Sequence, residues 1–100
     1  MIFSLQKPSR KTQLIVGSDY SSSMDCYISV YVNDQDVLSF YNNESKMYSV
    51  PVEVGDKISA HGDDPTGSVE VREYRGLSGA TVDGASITGT AQRNPYILFT

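Results

Sequence analysis

Asp25-Cys26-Tyr27-Ile28-Ser29-Val30-Tyr31-Val32-Asn33-Asp34-Gln35-Asp36-Val37-Leu38-Ser39-Phe40-Tyr41 alternates strictly over its first half. Cys26, Ile28, Val30 and Val32 fall on one side, and Tyr27, Ser29 and Tyr31 on the other. A repeat of two is that of an extended strand with one buried face. Asn33 to Asp36 reads as a turn, because Asn and Asp hydrogen-bond their own backbone and tolerate left-handed geometry. Val37 to Tyr41 then returns as the hairpin partner. Cys26, on the apolar side, reads as a small buried hydrophobe.

The same alternation extends outward in both directions. Lys46 to Val54 carries Tyr48, Val50, Val52 and Val54 on one side with Pro51 opposite, and a proline, having no N–H for a ladder, marks a sheet edge or a bulge. Lys57 to His61 and Ser68 to Tyr74 are further strands, with Val69 and Val71 inward against Glu70 and Arg72. Toward the N-terminus, Met1 to Gln6 and Gln13 to Val16 read as strands, and the serine-rich Gly17–Asp25 stretch as a loop. Gly76, Gly79, Gly84 and Gly89 break residues 76–90 into fragments, the clearest being Ala80–Val82 and Ala85–Thr88. The apolar Tyr96-Ile97-Leu98-Phe99 reads as a closing strand, since a hydrophobic end gains by docking.

Composition agrees. Val, Ile and Thr number 22 and Tyr 7, against 9 for Ala and Leu together, a skew toward pleated, half-buried surfaces. The expectation is one all-β domain over residues 1–100, an antiparallel β-sandwich or jelly roll of about eight to nine short strands. A single cysteine excludes an internal disulfide. No apolar run reaches membrane-helix length and no export signal is read at the N-terminus, so no membrane partner is expected and the chain is expected to be made in the cytoplasm. A net charge of −4 and pI near 4.7 argue against a nucleic-acid partner. Lys7, Arg10 and Lys11 nevertheless give residues 7–12 a basic character, as an arm docking on an acidic partner or a solvated loop.

Catalytic chemistry has little to stand on. A serine nucleophile needs a base, and His61, beside Asp63 and Asp64, is the one histidine. A small hydrolase using His61 is the least favoured alternative. Asp34/Asp36 and Asp63/Asp64 offer hard oxygen ligands but lack EF-hand spacing, and no phosphate-binding glycine loop precedes a helix. No catalytic residue, metal or cofactor is therefore expected. Tyr27, Tyr31 and Tyr41 are the residues of interest: Tyr27 and Tyr31 point away from the expected core face, with Tyr41 near them on the next strand of the hairpin. Together they read either as flat contact area for a protein or a sugar ring or as the other half of a sandwich core or a loop-covered face. Arg72 and Arg75 with Tyr74 read as rim contacts or a polar strand face.

Tyr48-Ser49-Val50-Pro51-Val52-Glu53-Val54-Gly55-Asp56-Lys57-Ile58 resembles a recurrent element of small β-sandwich modules in bacteriophage virions: a Val-Pro-Val run, a Gly-Asp turn, then Lys/Thr-Ile. It covers about a tenth of the chain and also looks like segments of Ig-like, TNF-like and carbohydrate-binding sandwiches. The resemblance implies a non-enzymatic structural protein of the virion, a capsid decoration or a fibre-type subunit assembled in the host cytoplasm. Its partners would be coat or fibre protein subunits, or further copies of itself. A carbohydrate-binding or adhesion sandwich stacking a glycan on Tyr27, Tyr31 and Tyr41 is the alternative.

Overall fold

The computed structural model describes residues 10–19, 27–41, 45–63 and 69–100. Its regular structure is all strand: β1 (Lys11–Ser18), β2 (Tyr27–Val32), β3 (Gln35–Tyr41), β4 (Lys46–Glu53), β5 (Lys57–Asp63), β6 (Val71–Asp83) and β7 (Ser86–Phe99). Among the described residues there is no helix, and hence none long and apolar enough to cross a membrane. The Met1–Gln6 strand, Lys7, Cys26 and most of the serine-rich stretch lie outside the described residues.

The strands form one sheet of order β3-β2-β5-β7-β1-β4, with β6 attached to β7. β7 is its spine. β6 runs antiparallel along one edge from Phe99 back to Ser86. The other edge takes β5 at residues 86–90 and β1 at residues 96–99. Between them, Ala91 exchanges backbone hydrogen bonds with the β4–β5 turn, accepting from Gly55 N–H and donating to the Asp56 carbonyl, both at 2.8 Å. β3 and β4, the two ends of the order, approach through side chains: Phe40 and Tyr48 stack with ring centroids 4.4 Å apart. The sheet is therefore nearly closed and barrel-like.

Alternation supplies the core. Leu14 and Val16, Ile28 and Val30, Val50 and Val52, Ile58 and Ala60, and Ile97 and Phe99 are all buried at every second position, with Val32, Leu38, Tyr48 and Val71 packed against them. Burying each large aliphatic side chain contributes roughly 1.5–3 kcal/mol against exposure. Pro51 faces outward on β4, which is an edge strand, as a missing N–H requires.

Among the described residues the strands number seven, and their arrangement corrects the expected one in four places. Four expected fragments merge into two long strands, because the glycines act as bulges and a turn. Gly76 and Gly79, both left-handed, sit where the β6–β7 register shifts, and Gly84 makes the hairpin turn. The sheet is not wholly antiparallel: β1 runs parallel to β7. Gly17 and Ser18 continue β1, flanked by β4 and β7, and Met47 and Leu98 cover Gly17 where a side chain would stand. The Asn33–Asp36 turn narrows to Asn33-Asp34, both at positive φ (51° and 67°), the pair of conformations a two-residue type I′ hairpin requires.

That hairpin turn is tied to the Gly55-Asp56 turn. Asp56 accepts from the Glu53 N–H at 2.9 Å and from Asn33 Nδ2 at 3.1 Å. Asn33 Oδ1 accepts from the Lys57 N–H at 3.0 Å, and Lys57 Nζ pairs with Asp34 at 3.2 Å. Asp56→Ala removes two of these bonds at once, and the expected loss is about 1–2 kcal/mol by urea unfolding, with faster amide exchange at Glu53.

Candidate binding face

The residues of β2, β3, β5 and β7 that do not enter the core share the outer face of one half of the sheet. Ladder register sets their rows. Tyr41, Tyr27 and Asp63 stand side by side, and next comes Ser39, Ser29, His61 and Ser86. Tyr31, Ser59 and Thr88 follow. Tyr27 and Tyr41 pair edge to face, ring centroids 5.0 Å apart, and remain 39% and 59% exposed. That leaves much of both rings open to a partner. Tyr31 lies four residues along the same strand face and is half-buried.

The hydroxyl row is short-range and local. Ser39 Oγ approaches Ser29 Oγ at 3.5 Å and Asp36 Oδ1 at 3.3 Å, and His61 Nδ1 lies 2.8 Å from Ser86 Oγ. Histidine and serine are thus adjacent, but in the ladder Asp83 stands beyond Ser86 rather than behind the imidazole. An activated serine needs the imidazole between hydroxyl and carboxylate. His61 is exposed on this open face and lines neither of the two grooves described below.

Protein-family models, curated proteins and solved structures give no match to this chain.

The basic residues are placed elsewhere. The Arg10 carbonyl accepts from Val54 N–H at 2.8 Å, and Lys11 opens β1 opposite Glu53. Both stand at the Asn33–Asp56 end, whereas Tyr27 starts the opposite end of β2, about 17 Å away at ~3.4 Å per residue. Lys11 lines a groove of about 480 Å³ there together with Glu53 and Asp56, so its charge faces carboxylates of the same chain. The structure therefore joins Tyr27 with Tyr41, sets Tyr31 further along the same face toward the Asn33 end, and separates Arg10 and Lys11 from the Tyr27–Tyr41 pair. Asp34 and Asp36, the oxygen-rich pair, are engaged with Lys57 and Ser39. Among the described residues, no three His, Cys, Asp or Glu side chains gather as metal ligands.

Sequence reasoning passed over Ser86 and Arg93. Ser86 meets His61 only through β5–β7 register. Arg93 shares with Arg75 a second groove, of about 460 Å³, on the other half of the sheet. The one sequence signal for it is the Arg93-Asn94-Pro95 triplet interrupting an otherwise alternating strand.

Proposed function

We propose that the chain is a non-enzymatic attachment module whose tyrosine face binds another protein subunit of a larger assembly, in the manner of a phage capsid decoration or fibre-type protein. The observation that carries this reading is the Tyr27–Tyr41 pair, half exposed on the outer face of the sheet. Tyrosine supplies large contact area at low entropic cost and is enriched in interfaces. A stable contact of about 800 Å² per partner would take roughly an eighth of the 6367 Å² surface, an area one sheet face can provide. The Val-Pro-Val, Gly-Asp element of residues 48–58, which resembles one of small virion modules, supports the virion reading. The finer description as a β-sandwich or jelly roll is supported by β7 serving β5 with its first half and β1 with its second. The edge strands β3 and β4 add a route to homo-oligomers.

The second reading, a glycan-binding module, is favoured by the hydroxyls of Ser29, Ser39 and Ser86 beside the tyrosine rings. Sedimentation of the whole chain over a range of concentrations separates the two. The first reading expects association that weakens at least about tenfold in the double variant Tyr27→Ser/Tyr41→Ser, as loss of interface anchors does. A strict monomer that binds sugars on an array, with binding lost in the same variant, would replace it by the second.

A further inference from the structure

The outer face of the other half of the molecule has a different chemistry. The groove of about 460 Å³ is lined by Gln13 and Ile15 of β1, Arg75 of β6, and Arg93, Asn94 and Tyr96 of β7, with Gly76 and Pro95 completing its wall. In a chain of eight Lys and Arg against twelve Asp and Glu, two arginines converge here and no carboxylate lines the groove. Such a concentration of one sign favours a negatively charged ligand.

The groove is also organised in advance. The Arg75 guanidinium sits 4.6 Å from the centroid of the Tyr96 ring, an arrangement that holds the side chain without neutralising it. Asn94 is left-handed (φ 53°), and its N–H donates to Thr12 Oγ1 at 3.1 Å. Gly76 passes so close to the Arg93–Pro95 backbone that an added Cβ would meet three of its atoms at 2.8–2.9 Å, so this stretch has little room to shift. Gln13 Oε1 accepts from Ser49 Oγ at 2.7 Å, which leaves the amide NH2 as its remaining polar end, a donor. The polar groups offered to a ligand are therefore mainly donors: two guanidinium groups and an amide.

We propose that this groove binds an oxyanion group carried by a small soluble ligand. Guanidinium groups meet carboxylate or phosphate oxygens through paired charge-assisted hydrogen bonds, and the half-buried Ile15 provides apolar wall for the rest of the ligand. The site is independent of the tyrosine face, which lies on the other half of the sheet.

The test is an amide-resolved NMR titration of the whole chain at low ionic strength, with inorganic phosphate and, separately, with glucuronate. Saturable shifts confined to residues around Arg75, Arg93 and Asn94 are expected with at least one probe. Phosphate alone would point to a phosphorylated ligand and glucuronate alone to an acidic sugar. Arg93→Gln weakens the affinity at least about tenfold, and Arg93→Lys less. Raising the salt weakens binding further. Arg75→Gln is the second variant, and an unchanged spectrum away from the groove shows that each variant is folded. Neither probe binding at tens of millimolar, shifts that map elsewhere, or an affinity indifferent to both Arg→Gln changes would overturn the proposal.

Discussion

Phe99→Ala lowers the unfolding free energy by about 3–5 kcal/mol, the range for emptying a buried phenylalanine site. The ring is fully buried. It sits where three strands meet, opposite Ser18 of β1 and Val71 of β6, and its carbonyl accepts from the Asp19 N–H at 2.8 Å. Its neighbours are held by ladders on both sides, so they cannot collapse into the space. Against a total of roughly 5–15 kcal/mol for a domain of this size, the loss takes between about a fifth and all of the stability, with a fall in Tm of roughly 12–40 °C. Met47→Ala, a change at a side chain 55% exposed, is the control and is expected to cost under about 1 kcal/mol. Urea unfolding of both variants checks the difference, and a Phe99→Ala loss no larger than that of Met47→Ala would mean the ring is not part of the core.

Gly76→Ala has the second largest expected effect. Gly76 and Gly79 lie on the same strand with similar left-handed φ, +71° and +60°. An alanine at either pays about 1–2 kcal/mol for that conformation. Only at Gly76 does the new Cβ also meet backbone atoms of Arg93, Asn94 and Pro95 at under 3 Å, whereas nothing stands within 4 Å at Gly79. Backbone cannot swing aside as a side chain does, so overpacking adds about 1–3 kcal/mol. The expected losses are about 2–5 kcal/mol for Gly76→Ala and 1–2 for Gly79→Ala. Equal losses would show that conformation alone sets both. Gly76→Ala is also expected to disturb the amide signals of Arg93 and Asn94, which Gly79→Ala leaves in place.

What could be read from the sequence divides along locality. Alternation in β2 and β4 assigns the buried face residue by residue, because burial of one side is a property of a single strand. The Asn33-Asp34 reversal and the edge position of Pro51 follow from local backbone chemistry. β6 and β7 were hidden because a glycine interrupts the periodic signal equally whether it ends a strand or bends one. The parallel pairing of Ile15–Ser18 with Tyr96–Phe99 leaves no local trace at all. The sites behave alike. Tyr27 and Tyr41 are recognisable as neighbours because one hairpin relates them. Arg75, Tyr96 and Arg93 come together through a ladder with three register shifts, and each looks like an ordinary surface residue in isolation.

The junction of β1 with the end of β7 has a consequence for biosynthesis. Two of the first strands described, β1 and the β4 that leans on it, stay without their central neighbour until residue 99 has left the ribosome. Pairings that span most of a polypeptide are slow to form, commonly on the millisecond-to-second scale, and at about 5–20 residues per second the nascent chain waits several seconds with its early segments made but unsupported. Those early segments are therefore open to misassociation while synthesis continues.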